Sequence, residues 1–239
     1  MEYNNGFIKI LETIANMLIV SFLWLVFSLP IFTIVASSAA LYHTVTKIIF
    51  GPGRGNGVFK DFFDSYKTNL ISGLKLSVIV IVLCLFIAEG LWTGYQFYKV
   101  SILGMLYMML GIIITLVVTP ALIYVSPVLS RFDAPITSIL RISAFLTLKK
   151  PFRGILFVLL LALMGLLVSA FPLALLIVPA LYADLIRGPL EVDLQNIIEE
   201  NGLQDYVQEE EQPEEETVEE ESAYDLDRKL SEKRKSGKK

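Results

Sequence analysis

The sequence predicts an all-α membrane protein, a polytopic bundle of transmembrane helices followed by a charged tail. Of its 239 residues, 54% are hydrophobic and 18% are charged, and the mean hydropathy is +0.62. A soluble domain of this size is less apolar, so the lipid bilayer must cover much of the surface. Four long stretches are almost free of charge, at 13–46, 76–98, 100–130 and 154–183, and about 20 apolar residues are enough to cross a bilayer.

Charge is distributed unevenly along the chain. Residues 1–187 carry thirteen Lys or Arg and seven Asp or Glu, whereas residues 188–239 carry seven and seventeen. The sequence therefore divides into a transmembrane helical domain at 1–190 and a tail at 191–239, which is acidic first and basic at its end. Because the composition of this tail offers too little apolar surface for a core, we expect it to be disordered.

The first uncharged stretch, 13–46, is long enough for one span that continues into the cytoplasm. It exceeds the 7–15 apolar residues typical of a signal peptide, so we expect the segment to be retained. The glycine-rich segment at 51–57 lacks the Gly-Lys-Ser/Thr ending of a phosphate-binding loop. We interpret it as a turn that ends the first helix.

Two loops are predicted to form short amphipathic helices. In the loop after the first span, Phe62, Phe63 and Tyr66 recur at helical spacing, with charged residues on the other face. A second such pattern covers 136–148, where one side carries Ile136, Ile139, Leu140, Ser143 and Leu146. Each helix could either anchor the protein to the inner leaflet or bind a protein partner. Phe62, Phe63 and Tyr66 are therefore candidate partner contacts.

The last uncharged stretch, 154–183, is either one kinked helix or two short spans that turn near Pro172. The loops at 47–75 and 131–153 each contain five Lys or Arg, whereas the connection at 96–101 contains one. The positive-inside rule therefore places both loops in the cytoplasm and the N-terminus outside. Two short spans would also return the tail to the cytoplasm, so we predict five spans, with four as the alternative.

Few side chains within the spans are polar or ionisable. Glu89 is the only acid inside a predicted span, and such residues are often functional. The aromatic residues that follow Glu89 instead indicate a shallow position near the outer interface. His43, Tyr42 and Asn16 are further candidates for contacts with a ligand or partner. For each of these three, structural hydrogen bonding is the alternative.

Beside Glu89, a glycine motif indicates close helix packing. Gly90 and Gly94 have the G-x-x-x-G spacing that lets two helix backbones approach each other. The neighbouring helix belongs either to the same bundle or to a second copy of the chain. We expect it to belong to the same bundle.

The sequence contains no pattern typical of catalysis or metal binding. One cysteine and one histidine rule out a Cys/His zinc cluster and an intrachain disulfide, and no nucleophile with a base or pair of carboxylates stands out. We therefore expect no cofactor, no enzymatic activity and no binding of nucleic acid. An accessory or assembly protein needs only an apolar bundle and is the leading hypothesis. A small-solute transporter that uses Glu89 and proline-broken helices is the alternative.

Three short segments of the chain form a family pattern. They are Leu29 to Ile34, Ala39 to Tyr42 and Asp61 to Leu70, in this order. The pattern resembles the YesL family of bacterial membrane proteins over about residues 5–190, although the family continues with Gly-Pro where this chain has Val35-Ala36. The resemblance implies an inner-membrane protein without an established activity, often encoded beside genes for carbohydrate uptake and breakdown. The membrane subunits of a carbohydrate transporter are therefore the expected partners.

Overall fold

The computed structural model describes residues 3–50 and 57–201, and the regular elements in these ranges are helical. The α-helices are α1 (Tyr3–Ser28), α2 (Ile34–His43), α3 (Val58–Phe97), α4 (Ile102–Arg131), α5 (Ile136–Lys149), α6 (Pro151–Ala170) and α7 (Val178–Asn201). Two 3-10 helices, Ile31–Thr33 and Pro172–Leu176, and a π-helix, Thr44–Ile49, lie between them. The predicted all-α class is confirmed.

Four helices are long and apolar enough to cross a membrane. They are the Ile8–Ser28 part of α1, together with α3, α4 and α6. This arrangement makes the chain a multi-pass membrane protein. The 40 residues of α3 extend for about 60 Å at 1.5 Å per residue, which is about twice the thickness of the hydrocarbon core. One end of α3 therefore lies outside the bilayer.

The amphipathic segment near Phe62 is not a separate surface helix, as the sequence suggested, but the beginning of α3. No proline lies between Leu70 and Leu76, and a single glycine at Gly73 is tolerated in a helix. The second amphipathic segment does form its own helix, α5. On the side that the pattern predicted, Ile139, Ser143 and Leu146 are buried, whereas Ile136 and Leu140 are half-buried.

The chain reverses near Pro172 as predicted, but the segment that follows is not a fifth long apolar helix. Pro172 begins a 3-10 helix, and α7 starts only at Val178. The hydroxyl of Tyr182 donates to the carbonyl of Phe157 at 3.2 Å, so α7 runs back along α6. The structure thus has four long spans, as in the four-span alternative. Its chain also reverses near Pro172, as the five-span prediction required.

One end of the bundle, which we call the base, is marked by Tyr42, Arg131, Arg153 and Glu191. At this end the last turns of α2 and α4 and the first turn of α6 meet the second half of α7, through hydrogen bonds and ion pairs described below. Much of the buried core lies in α2, in the second half of α4 and in α7. The base therefore joins the helices that carry much of the buried core.

The opposite part of the bundle is a helical hairpin that buries little. No residue is buried between positions 78 and 93 of α3 or between positions 105 and 119 of α4. We call residues 78–119 the outer hairpin. Its two helices approach closely at Gly94, where an added Cβ would lie 2.9 Å from the sulfur of Met108. The G-x-x-x-G motif therefore packs within the bundle, as expected.

The boundary between the helical domain and the tail lies further along the chain than predicted. α7 continues to Asn201 rather than stopping at residue 190. Leu190, Leu194 and Ile197 are buried at helical spacing, and their burial holds the helix against the bundle. The rest of the predicted tail, from residue 202, lies outside the described residues, as do residues 51–56 of the predicted turn.

Candidate functional site

The base contains a cluster of charged side chains centred on two acids of α7. The hydroxyl of Tyr42 donates to Glu191 Oε1 at 2.9 Å, and the guanidinium of Arg131 forms an ion pair with Glu191 Oε2. One carboxylate therefore connects α2, α4 and α7. We call this arrangement, together with Arg153 and Asp193, the base cluster.

Asp193 lies two residues after Glu191 in α7 and is 2% exposed. Nη1 of Arg153 donates to Asp193 Oδ1, and the same nitrogen donates to the carbonyl of Pro189 at 3.1 Å. Arg153 therefore binds the first turn of α6 to α7 at two points. The other carboxylate oxygen, Oδ2, is buried without a hydrogen-bond partner among the described residues.

Tyr124 of α4 lies between these helices and is fully buried. Its ring packs against Phe157 of α6 at a centroid distance of 5.7 Å. The two helices come close because α6 has a glycine here: an added Cβ on Gly154 would lie 2.8 Å from Cβ of Pro120. Like Asp193 Oδ2, the hydroxyl of Tyr124 has no hydrogen-bond partner in the described part of the chain.

The charges in the base cluster are arranged in opposite pairs, as burial requires. Moving a charge out of water is costly unless an opposite charge and hydrogen bonds compensate for the lost hydration. Burial, followed by the nearby Glu191 carboxylate, raises the pKa of Tyr42 well above its ordinary value. Tyr42 therefore stays protonated and acts as a hydrogen-bond donor to Glu191.

The structure places the other candidate residues apart from this cluster. Glu89 lies exposed on the outer hairpin, where the hydroxyl of Thr93 donates to its Oε1 at 3.2 Å. Asn16 is half-buried on α1. His43 follows Tyr42 at the end of α2 and is half-buried. Of the candidate residues, Tyr42 contributes a hydrogen bond to the base cluster.

The aromatic candidates surround Phe27 at the end of α1. The ring centroids of Phe62, Phe63 and Tyr66 lie 5.8, 5.9 and 4.8 Å from that of Phe27. Phe62 is fully buried, whereas Phe63 and Tyr66 are half-buried. These side chains therefore pack α3 against α1, and much of the surface considered for a partner is used inside the bundle.

Sequence reasoning missed four members of the base cluster. The sequence places Arg131 and Arg153 among the basic residues of a cytoplasmic loop, and Glu191 and Asp193 in the tail. The spacing of Leu190, Leu194 and Ile197 could have shown that the helix continues through both acids. No comparable pattern identifies Arg131 and Arg153 as the partners of these acids, because both arginines lie far from them in the sequence.

The base cluster is a network of ion pairs and hydrogen bonds. Among the described residues, no group of three or more His, Cys, Asp or Glu is placed to hold a metal ion. The carboxylates of Glu191 and Asp193 each bind an arginine. These contacts link α7 to α2, α4 and α6.

Comparison with known proteins agrees with the pattern described in the sequence. Residues 17–91 match a family described as a protein of unknown function, DUF624. The chain is also 27% identical over 150 residues to the uncharacterised protein YesL of Bacillus subtilis (strain 168), which covers 62% of this chain and 69% of that protein. No solved structure matches the chain. The chain is thus similar, over part of its length, to the YesL (DUF624) family of proteins of unknown function.

Proposed function

We propose that this chain is a non-enzymatic membrane protein that packs against another membrane complex and helps to assemble or hold it. The observation that supports this role is the outer hairpin, in which two long apolar helices leave nearly all their side chains unburied. In a bilayer, helices associate through close packing rather than by escaping water. A partner's helices can therefore replace lipid along the hairpin.

The base suits the same role, because it provides a rigid support for the hairpin. Arg131 and Arg153 are each bound to an acid of α7, and the aromatic residues around Phe27 join α1 to α3. A rigid base would hold α3 and α4 in a fixed position as they extend into the membrane. The part of the protein free to meet a partner is then the hairpin.

The transporter alternative has weaker support. A carrier needs polar groups that face a path near the middle of the membrane. Glu89, the intramembrane acid named for this role, lies exposed on the outer hairpin and binds Thr93 of the same helix. The charged groups of the base cluster are already paired with one another.

The resemblance to the YesL family suggests which partner to test first. It implies the membrane subunits of a carbohydrate transporter, in the cytoplasmic membrane. In this arrangement, the base and its Lys/Arg-rich loops would lie on the cytoplasmic side, and the N-terminus would lie outside.

Photo-crosslinking from the outer hairpin tests the proposal. A photoreactive residue at Ile113, which is exposed on α4, should crosslink to a membrane subunit of a sugar transporter in intact cells. The matched control is Leu166, an equally apolar and exposed position on α6, which should give lipid adducts only. Lipid adducts at both positions would contradict the proposal.

A second measurement addresses transport directly. Purified protein in liposomes should move neither sugars nor small ions. A flux that appears with the wild-type protein and disappears with Glu89→Gln would replace the accessory role with the transporter.

A further inference from the structure

A small cleft opens at the base, beside the corner where α5 meets α6. Its volume is about 60 Å³, and it is lined by Leu146, Lys149, Lys150, Asp193, Asn196 and Ile197. Two lysines therefore line the cleft together with a carboxylate and an amide from α7. A cleft with both signs of charge suits a ligand that itself carries both signs.

Asp193, which lines the cleft, has hydrogen bonds to only one of its two carboxylate oxygens among the described residues. Asp193 Oδ1 is bound by Arg153, whereas Oδ2 is buried and has no hydrogen-bond partner among the described residues. A buried carboxylate oxygen without a donor is costly and calls for an explanation such as a bound ligand or ion. A primary ammonium group is small, positively charged and rich in N–H donors, so it fits this position.

The basic part of the cleft lies at the start of α6, one of the four apolar helices. Lys149 and Lys150 immediately precede its first residue, Pro151. The N-terminus of a helix carries partial positive charge and favours phosphate. Lysine side chains beside such a helix end add to that preference.

Apolar side chains place this corner at the level of the lipid headgroups. Leu148 and Phe152 flank the lysines and are 70% and 87% exposed. Large apolar side chains next to lysines at the end of an apolar helix are typical of the membrane interface. The cleft is therefore within reach of a phospholipid headgroup.

We propose that this cleft binds the phosphoethanolamine headgroup of a membrane lipid. The ammonium donates to Asp193 Oδ2 and to the side-chain carbonyl of Asn196, and the phosphate binds Lys149 and Lys150. A headgroup that carries only negative charge would be repelled by the carboxylate of Asp193. A choline headgroup has no N–H to donate. This inference does not depend on the accessory role proposed above.

Native mass spectrometry of the full chain tests the proposal. The protein is stripped of lipid in detergent and offered phosphatidylethanolamine, phosphatidylglycerol or phosphatidylcholine with the same acyl chains. Phosphatidylethanolamine should be retained about tenfold more strongly than either of the others, which corresponds to one charge-assisted hydrogen bond. Equal retention of phosphatidylcholine or phosphatidylglycerol would overturn the proposal.

Two variants test the residues without breaking the buried ion pair of Asp193. Lys150→Ala removes a phosphate contact and Asn196→Leu removes an ammonium contact, and each should lower retention of phosphatidylethanolamine by about tenfold. The matched control is Lys60→Ala, an exposed lysine of α3, which should retain the lipid like the wild type. Wild-type retention by both Lys150→Ala and Asn196→Leu would overturn the assignment.

Free O-phosphoethanolamine distinguishes the lipid from a soluble ligand with the same headgroup. The lipid should raise the melting temperature of the protein, whereas the free compound at the same concentration should leave it unchanged. An equal rise with the free compound would overturn the lipid as the source.

Discussion

Glu191 binds two groups from two different helices. Its oxygens accept hydrogen bonds from Tyr42 of α2 and from Arg131 of α4. Arg131 and Glu191 are both 18% exposed, so water screens their attraction less than at an open surface. Breaking such a pair is more costly than its net contribution, because the remaining charge stays partly buried.

At the scale of single residues, we expect Glu191→Gln to lower the free energy of unfolding by about 2 kcal/mol, since it removes the negative charge that Glu191 places beside Arg131. Unfolding in detergent, followed by circular dichroism, measures the change. The matched control is Glu199→Gln, which alters an exposed acid of the same helix and should change stability by less than about 0.5 kcal/mol.

A double-mutant cycle with Arg131→Met distinguishes pairing from general damage. If the two residues interact, the double variant should be destabilised by less than the sum of the two single variants. Strict additivity would mean that the ion pair contributes nothing.

Between elements, α2 and α3 pack so closely that their contact leaves room only for small residues. A Cβ added to Gly73 would lie 2.6 Å from Cβ of Ala36. Near this contact, the N–H of Val35 donates to the hydroxyl of Ser77 at 3.1 Å. The first N–H groups of a helix lack partners within it, so Ser77 satisfies one of them and fixes the position of α2.

We expect Gly73→Ala to destabilise the protein by about 2 kcal/mol, because the added methyl group forces α2 and α3 apart. Gly165→Ala in α6 is the matched control, since an added Cβ there meets nothing within 4 Å. That variant should be stabilised by up to about 1 kcal/mol through better helix propensity. Melting temperatures in detergent compare the two. Equal changes in both variants would show that the close contact does not matter.

Across the whole molecule, Lys67, Lys149 and Arg153 belong to the base end of the bundle, whereas Lys99 lies at the far end of the outer hairpin. Lysines and arginines are retained on the cytoplasmic side during insertion. Because α7 runs back along α6, the described end of the chain also lies at the base. We therefore expect the base and the described end of α7 to share the cytoplasmic side.

Cysteine labelling in intact cells tests this orientation. In a Cys84→Ser background, a membrane-impermeant maleimide should label Lys99→Cys, and it should label Lys67→Cys and Lys149→Cys only after permeabilisation. These three lysines are exposed in the structure, so access depends on the membrane and not on burial. Labelling of Lys67→Cys in intact cells would reverse the topology.

The amino-acid sequence by itself determined the helical class and the membrane environment, because long uncharged stretches have no other stable solvent. It also determined the buried face of α5, since Ile139, Ser143 and Leu146 recur at the helical period. It misjudged residues 58–70 and the last span, because local patterns do not show whether two helical segments join or where a helix after a proline resumes.

Only the tertiary structure decided which charges meet. Arg131 and Glu191 lie 60 residues apart, and Arg153 and Asp193 lie 40 residues apart. Helical periodicity tells which side of a helix is buried, but not which side of another helix it meets. That choice depends on the packing of all the helices together, where close contacts such as Gly73 against Ala36 and Gly154 against Pro120 set the distances.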